Sequence, residues 1–321
     1  PVEPSVIVMP KTVAEVQAVV KLANEAPFKL VPSGGRTGLS GGAVATDGEV
    51  VLILDRMIQI LDFNAADRQV TCEAGVVTEQ LQQFADSKGL FYPVDFASSG
   101  SSQLGGNVAT NAGGIKVIRY GMTRNWVTGM KVVTGRGDLL DLNRGLTKNA
   151  TGYDFRHLFI GSEGTLGIVV ELTMALSEPP QDPAVLILGV EDMTQTMPVL
   201  EVFQNKLSLT AFEFFSEQAL RHVIAGKNLA RPFETASNFY ALLEFEQRGE
   251  EDLEDAMALF EHCLEQGWIV DGTISQSLTQ AESLWRLRED ISETLAQFTP
   301  CLLYTSDAAD ERSSVDLGGR R

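Results

Sequence analysis

Cysteine, histidine and basic charge are all scarce in this chain of 321 residues. Its three cysteines, Cys72, Cys263 and Cys301, stand far apart with no C-x-x-C pair. That leaves no disulfide framework or thiolate metal site to read, and it suits a reducing compartment. The three histidines, His157, His222 and His262, lack H-x-E or paired spacing, so each reads as a surface or structural residue rather than a metal ligand. Lys and Arg number 25 against 43 Asp and Glu, a net charge of −18. Such a field repels phosphate backbones and anionic lipid heads, which argues against nucleic acid and membrane surfaces as partners. No apolar run approaches the roughly 20 residues that span a bilayer, and PVEPSVIVMP at the start has neither region of a secretory signal peptide. Two familiar phosphate loops are missing as well. There is no G-x-G-x-x-G, and Gly226-Lys227 lacks both the upstream Gly and the following Ser/Thr of a Walker A loop.

What the chain does have is glycine, concentrated in one half. Of 29 glycines, 22 lie at or before Gly167 and 7 after it. This pattern predicts a first domain built around a ligand held by its main chain, followed by a more ordinary one. Residues 5–9 (SVIVM) read as a strand, Thr12 and Glu15 as a capping box before Val13, Val16, Val19 and Val20 at helical spacing, and residues 28–31 (FKLV) as a second strand. Further strands are EVVLILD, RQVTCEAG and GIVVELTMAL; Thr78 can cap a helix through Leu81, Phe84 and Ala85; VTGMKVVTG and GDLLDLN form a hairpin. SEPPQDP (177–183), with three prolines, is the expected domain boundary. Beyond it, strands AVLILGVE, LTAFEFF and NFYALLEFEQ alternate with helices. One of these is acidic on its outer face with Leu253, Met257, Phe260 and Leu264 inward, and another runs from about residue 280 to 298. The expectation is an antiparallel sheet with helices on one face.

Three clusters carry the chemistry. PSGGRTGLSGG (32–42) follows a strand directly. Its N–H groups can form an anion-binding nest, although such a run taken alone reads at least as readily as a surface turn. FYPVDFASSGSSQLGGNVATNAGGIKVIRYG (91–121) has too few bulky side chains to build its own core and reads as backbone wrapped around a large, flat ligand. GYDFRHLFIGSEGTLGIVVE (152–171) sets Glu163 between Gly161 and Gly164 ahead of a β-branched strand.

In this order, with EAG at 73–75 between the first two, the clusters resemble the FAD-binding oxidoreductases of the vanillyl-alcohol oxidase and p-cresol methylhydroxylase (PCMH) type, over residues 5 to about 298. GGRTGLSGG, GSSQLGGNVATNAGG, RYG, NATGYDFRHLFIGSEGTLGI and TAFEFF look most like the D-2-hydroxy acid dehydrogenases of that group, those of D-2-hydroxyglutarate first and of D-lactate and glycolate next. The resemblance implies an α+β architecture: a two-subdomain PCMH-type FAD-binding domain (1–177), then an incomplete α+β substrate or cap domain (184–300). It implies that Ser33, Gly34, Gly35, Arg36, Thr37, Gly38 and Leu39 hold the FAD pyrophosphate. Pro93, Gly100, Gly105, Gly106, Asn107, Asn111 and Gly113 would line the flavin and its linker, and Glu163, Gly164 and Ile168 would close on the adenosine side or the isoalloxazine edge. Relatives that tether FAD covalently do so through a His in the first loop; here that loop has Arg36, so FAD is expected to be non-covalent. The early glycines are then explained as backbone around FAD.

The expected activity is oxidation of a 2-hydroxy acid by hydride transfer to flavin, with electrons passed to an external acceptor. On the helix near 280–298, Leu284, Leu287, Ile291 and Leu295 make one stripe at about 100° per residue, with Arg288 at its edge and Arg286 opposite. Read by spacing alone, such an Arg is a snorkelling or ion-paired residue. By resemblance, Arg288 in LWRLRE is the substrate-carboxylate arginine and Ser292, one turn on, a substrate contact. Arg119, Tyr120 and Arg124 stay unassigned. A divalent metal and the general base are expected only in sequence beyond this chain. Residues 301–321 do not continue the preceding pattern and are expected to be an adapter-derived tail. With no opening Met, the chain is expected to be a fragment that binds FAD with little or no turnover, in the cytoplasm or, for a eukaryotic source, the mitochondrial matrix. The alternative from another class is a non-catalytic FAD-binding electron-transfer subunit.

Overall fold

The computed structural model describes residues 4–26, 28–38 and 40–298; Leu39, Cys301 and the 301–321 tail lie outside them. The chain divides into two units, residues 1–114 with 120–179, and residues 115–119 with 180–321. The junction after Pro179 falls inside the proline-rich segment, and the short excursion at 115–119 has no signal in composition.

In the first unit, β1 (Val6–Val8), α1 (Val13–Glu25) and β2 (Leu30–Ser33) form a β-α-β unit of parallel strands with β3 (Val50–Ile53) between them, order β1-β3-β2. The Thr12 hydroxyl accepts the Glu15 N–H at 3.2 Å and so starts α1, which buries Val16 and Val20. Strand β2 ends at Ser33, so the chain passes without an intervening element into the first glycine cluster. Strands β4 (Ile60–Asn64), β5 (Gln69–Glu73), β6 (Val127–Thr134), β7 (Leu139–Leu142) and β8 (Gly167–Ala175) make an antiparallel sheet of order β4-β5-β8-β6-β7. One apolar core joins the two sheets, with Val16, Val20 and Leu52 packed in the same cluster as Cys72, Val170 and Leu172. Helix α2 (Thr78–Ser87) adds Leu81 and Ala85 to that core.

Two local expectations are corrected here. Thr78 does not cap α2, because Val77 is its N-cap; the buried Thr78 hydroxyl instead lies 2.7 Å from Ser102 Oγ and accepts from Asn107 Nδ2 at 2.7 Å. The second glycine cluster is not merely backbone around a ligand: residues Leu104–Thr110 coil into helix α3, whose Leu104 and Val108 are fully buried. The short helices α4 (Val117–Tyr120) and α5 (Arg156–Phe159) complete the early elements.

The second unit is built on an antiparallel sheet of β9 (Pro183–Val190), β10 (Leu209–Ser216), β11 (Phe239–Glu246) and β12 (Asp271–Ile274), order β10-β11-β9-β12. Helices cover both of its faces, not one. Helices α6 (Thr196–Lys206) and α8 (Glu250–Glu265) pack Val199, Phe203, Ala256 and Cys263 against Leu186, Leu188, Ala241 and Leu243. Helices α7 (Glu217–Lys227) and α9 (Leu278–Phe298) pack Leu220, Val223, Leu284 and Ile291 against Val185, Ile187 and Leu242. The unbroken apolar runs of β9 and β11 carry the reason, since a strand with one wet face would alternate. Helix α8 is also rotated from its expected setting: Leu253, Met257 and Leu264 are exposed, while Ala256 and Cys263 point inward with Phe260 partly covered. Small side chains at 256 and 263 let the helix axis approach the sheet, and close packing there outweighs the larger apolar residues beside them. Among the described residues no helix is long and apolar enough to cross a membrane.

Candidate functional site

All three glycine clusters meet in the first unit, around one cavity of about 530 Å³. Ser33 through Gly38, Gly105, Gly106, Asn107, Glu163, Gly164 and Ile168 all line it. Pro93, Gly100, Asn111 and Gly113 do not. Pro93 is buried, Gly100 sits exposed in the turn before Ser101, and Asn111 is the left-handed C-cap of α3, its Oδ1 accepting the Arg124 N–H at 3.1 Å. Asn107 lines the wall, but its amide Nδ2 is committed to Thr78.

The first loop is held by close backbone approach rather than by side chains. A Cβ at Gly35 would stand 2.1 Å from the Ser101 carbonyl oxygen, a distance no side chain tolerates. Gly164, at φ +78, leaves room for Pro32, whose Cγ lies 2.7 Å from where a Cβ would be. The third cluster is thereby fastened to β2. Arg36 (φ 58) and Glu163 (φ 50) are non-glycine residues in the left-handed region on this rim, a costly conformation that concentrates at ligand sites. The Glu163 N–H is fixed by the Ala109 carbonyl at 2.8 Å.

Three observations fit a large, flat, phosphate-bearing ligand. Among the described residues, the backbone N–H groups of Gly35, Arg36, Thr37 and Gly38 donate to no protein acceptor, which leaves a run of amides for an anion. A Cβ on Gly38 or Gly106 would meet no protein atom within 4 Å, so open space lies beside the main chain at the lining. Gln103, buried at the start of α3, keeps an unpartnered Oε1 while its Nε2 donates to Asp55 Oδ1 at 2.8 Å. Asp55 in turn meets Arg36 Nη2 at 3.3 Å through its other oxygen. Asp55 and Gln103 escaped the sequence reading, though Gln103 was legible as the one long polar side chain in GSSQLGG.

The second unit holds Arg288, whose Nε donates to Glu213 Oε2 at 2.9 Å while its Nη2 lies 2.7 Å from the same oxygen. Leu284, Leu287 and Ile291 are buried, Ser292 is exposed, and Arg286 pairs with Asp290 on the outer side at 3.2 Å. Of the residues left unassigned, Arg119 lies 3.8 Å from Glu246, the Tyr120 carbonyl accepts from Trp126 Nε1, and Arg124 meets His157 Nδ1 at 2.9 Å. His157 also lies 3.4 Å from Asp154, and His262 stands edge-on to Trp268. Among the described residues no three His, Cys, Asp or Glu side chains gather where a metal ion could be held.

Comparison with known proteins agrees with this geometry. Residues 4–143 match the family described as FAD binding domain, and residues 179–311 the family described as FAD linked oxidases, C-terminal domain. The chain thus carries an FAD-binding domain followed by a C-terminal domain of the FAD linked oxidases, in an α+β fold of the PCMH type. A solved p-cresol methylhydroxylase shares that fold at TM-score 0.66 and 18% identity, over 88% of this chain and 60% of its own. The chain is similar to the D-2-hydroxyglutarate dehydrogenase of Stutzerimonas stutzeri (strain A1501), 63% identical over 92% of this chain and 64% of that protein. It is likewise similar to the D-2-hydroxyglutarate dehydrogenase of Xanthomonas citri pv. viticola, 56% identical over 97% of this chain and 65% of that protein. The chain thus spans about two thirds of the length of these relatives.

Proposed function

We infer that the protein oxidises a D-2-hydroxy acid, D-2-hydroxyglutarate, to the 2-oxo acid with non-covalently held FAD, and passes the electrons to an external acceptor. The observation that carries this reading is the glycine-lined cavity inside an FAD-binding domain, in a chain 63% identical to a D-2-hydroxyglutarate dehydrogenase. When bound, FAD supplies the hydride acceptor. The chain's own residues supply binding and orientation. The free amides of Gly35, Arg36, Thr37 and Gly38 would take the pyrophosphate, with Ser33 and Gly34 leading into them. Gly105 and Gly106 bring α3 close to the ligand, and Glu163, Gly164 and Ile168 close the third wall. The first loop offers no His to tether FAD, and its Arg36 pairs with Asp55. Arg288 would receive the substrate carboxylate in the fork geometry that guanidinium offers, with Ser292 one turn beyond.

The test starts from FAD uptake. Protein supplied with FAD should retain it through gel filtration and release it intact on denaturation; failure to retain FAD refutes the reading. Anaerobic single-turnover bleaching of the bound flavin then ranks D-2-hydroxyglutarate, D-lactate and glycolate. Single turnover is the readout because the chain spans about two thirds of its relatives. Fastest bleaching by D-lactate or glycolate would reassign the substrate within the same fold.

A further inference from the structure

The TAFEFF strand contains one charged residue, Glu213, in the middle of β10. Its carboxylate meets Arg288 along one edge only: Nε and Nη2 both converge on Oε2. Among the described residues Arg288 Nη1 has no partner, so the end fork of the guanidinium, Nη1 with the second hydrogen of Nη2, is left open. A second contact fixes the same helix. Trp285, three residues earlier on α9 and so on the same side, donates Nε1 to Glu244 Oε2 at 2.8 Å. Glu244 is 3% exposed, and its other oxygen is held by the Thr210 hydroxyl and by Lys116 Nζ at 3.0 Å. Strand pairing of Ala211 with Glu244 and of Glu213 with Leu242 puts the two glutamates diagonally on one face of the sheet. Helix α9 is therefore pinned to that face at two points one turn apart.

We propose that Glu213 is a positioning residue for Arg288: it holds the guanidinium by its side edge and presents the end fork to a carboxylate ligand. An unrestrained Arg would give up several rotatable bonds on binding, whereas here the planar fork is already oriented. A competing role predicts the opposite sign. If Glu213 were a counter-ion displaced by the ligand, removing its charge would tighten carboxylate binding.

This inference rests on the assignment of Arg288 above, and anaerobic calorimetric titration of the FAD-loaded protein, its flavin reduced beforehand so that no hydride can be accepted, with D-2-hydroxyglutarate separates the two. Arg288→Ala should weaken binding about 30-fold or more, the scale of a lost charge-assisted hydrogen bond, and Glu213→Gln about 5- to 10-fold, the scale of one ordinary net hydrogen bond. The double variant should bind no worse than Arg288→Ala, since Glu213 acts through Arg288. FAD affinity should stay unchanged in all three. Unchanged binding in Arg288→Ala overturns the carboxylate assignment and this inference with it. Unchanged or tighter binding in Glu213→Gln, with Arg288→Ala impaired, overturns this inference alone. Should Glu213→Gln fail to fold, the Arg288 Nε–H resonance of the wild-type protein decides. A signal that stays protected from exchange and unshifted when the ligand is added supports an intact Glu213 edge; loss of protection on ligand addition refutes it.

Discussion

Helix α3 carries two adjacent glycines with opposite surroundings, and exchanging each for alanine should move stability and cofactor affinity in different directions. A Cβ on Gly105 would lie 2.8 Å from Ala74 Cβ and 3.0 Å from the Ala74 carbonyl oxygen, so it would push α3 off the end of β5. Overpacking of that kind costs about 1–3 kcal/mol. A Cβ on Gly106 would meet nothing within 4 Å, because its neighbour is the cavity. In the FAD-free protein Gly106→Ala should therefore gain the helix propensity difference, about 0.5–1 kcal/mol, and raise the unfolding midpoint by about 2 °C. Yet the same methyl occupies space assigned to FAD, so its affinity should fall by roughly 5- to 150-fold, the equivalent of about 1–3 kcal/mol of overpacking. Scanning calorimetry of the FAD-free protein and fluorescence titration with FAD read the two effects separately. Gly105→Ala should lower both quantities. The reasoning is refuted if Gly106→Ala binds FAD as well as the wild type, since the cavity would then not be where the cofactor lies. It is refuted equally if Gly106→Ala destabilises the FAD-free protein as much as Gly105→Ala does.

Burial works to raise the Glu217 carboxyl, but donation from Arg231, Tyr240 and Arg221 outweighs it and holds the group at about 2. A carboxylate depressed in the folded state stabilises above its unfolded value, and the contribution is lost as pH falls through the folded one. Glu217→Gln should thus be less stable than wild type by roughly 2 kcal/mol at neutral pH, with the gap closing between about pH 5 and pH 2; a gap independent of pH across acid denaturation curves contradicts it. Burial pushes the Cys72 thiol up to about 12 and the Cys263 thiol up to about 11, and both are fully covered. Neither should react with iodoacetamide in the native protein, while both should react in denaturant, as peptide mass spectrometry would show. Rapid native labelling of either refutes the packing at that site.

The contacts that fix the second unit were out of reach of sequence spacing. Arg288 and Glu213 are 75 residues apart, and Trp285 and Glu244 are 41 apart, so only the sheet register brings them together. The α9 stripe and the placement of Arg288 at its edge were legible because both are local properties of one helix. The two-sided burial of β9 and β11 is legible too, in runs such as AVLILGV that never alternate, because a strand apolar on both faces calls for a cover on each.

In the first unit, the glycine clusters line one cavity, but a ligand there would account for only part of the glycine surplus. Three clusters meeting at one cavity justify reading the runs at 34–42, 105–106 and 161–164 as a cofactor cradle. The surplus of glycine in that half has a second cause, however, which sequence cannot separate from the first. A Cβ on Gly75 would stand 2.2 Å from the Leu54 carbonyl oxygen, one on Gly129 would stand 2.6 Å from Gly145 N, and one on Gly167 would stand 2.7 Å from Val132 Cγ1. Gly129 and Gly145 serve the close passage of one piece of backbone over another, as does Gly75. Gly35 joins this group: its absent side chain makes way for Ser101, and the ligand benefits only because the loop is thereby held open. The two roles separate by what a methyl group would strike. Where it strikes protein, substitution should cost stability before it costs affinity; where it strikes nothing, as at Gly38 and Gly106, any loss of FAD binding reports the cofactor itself.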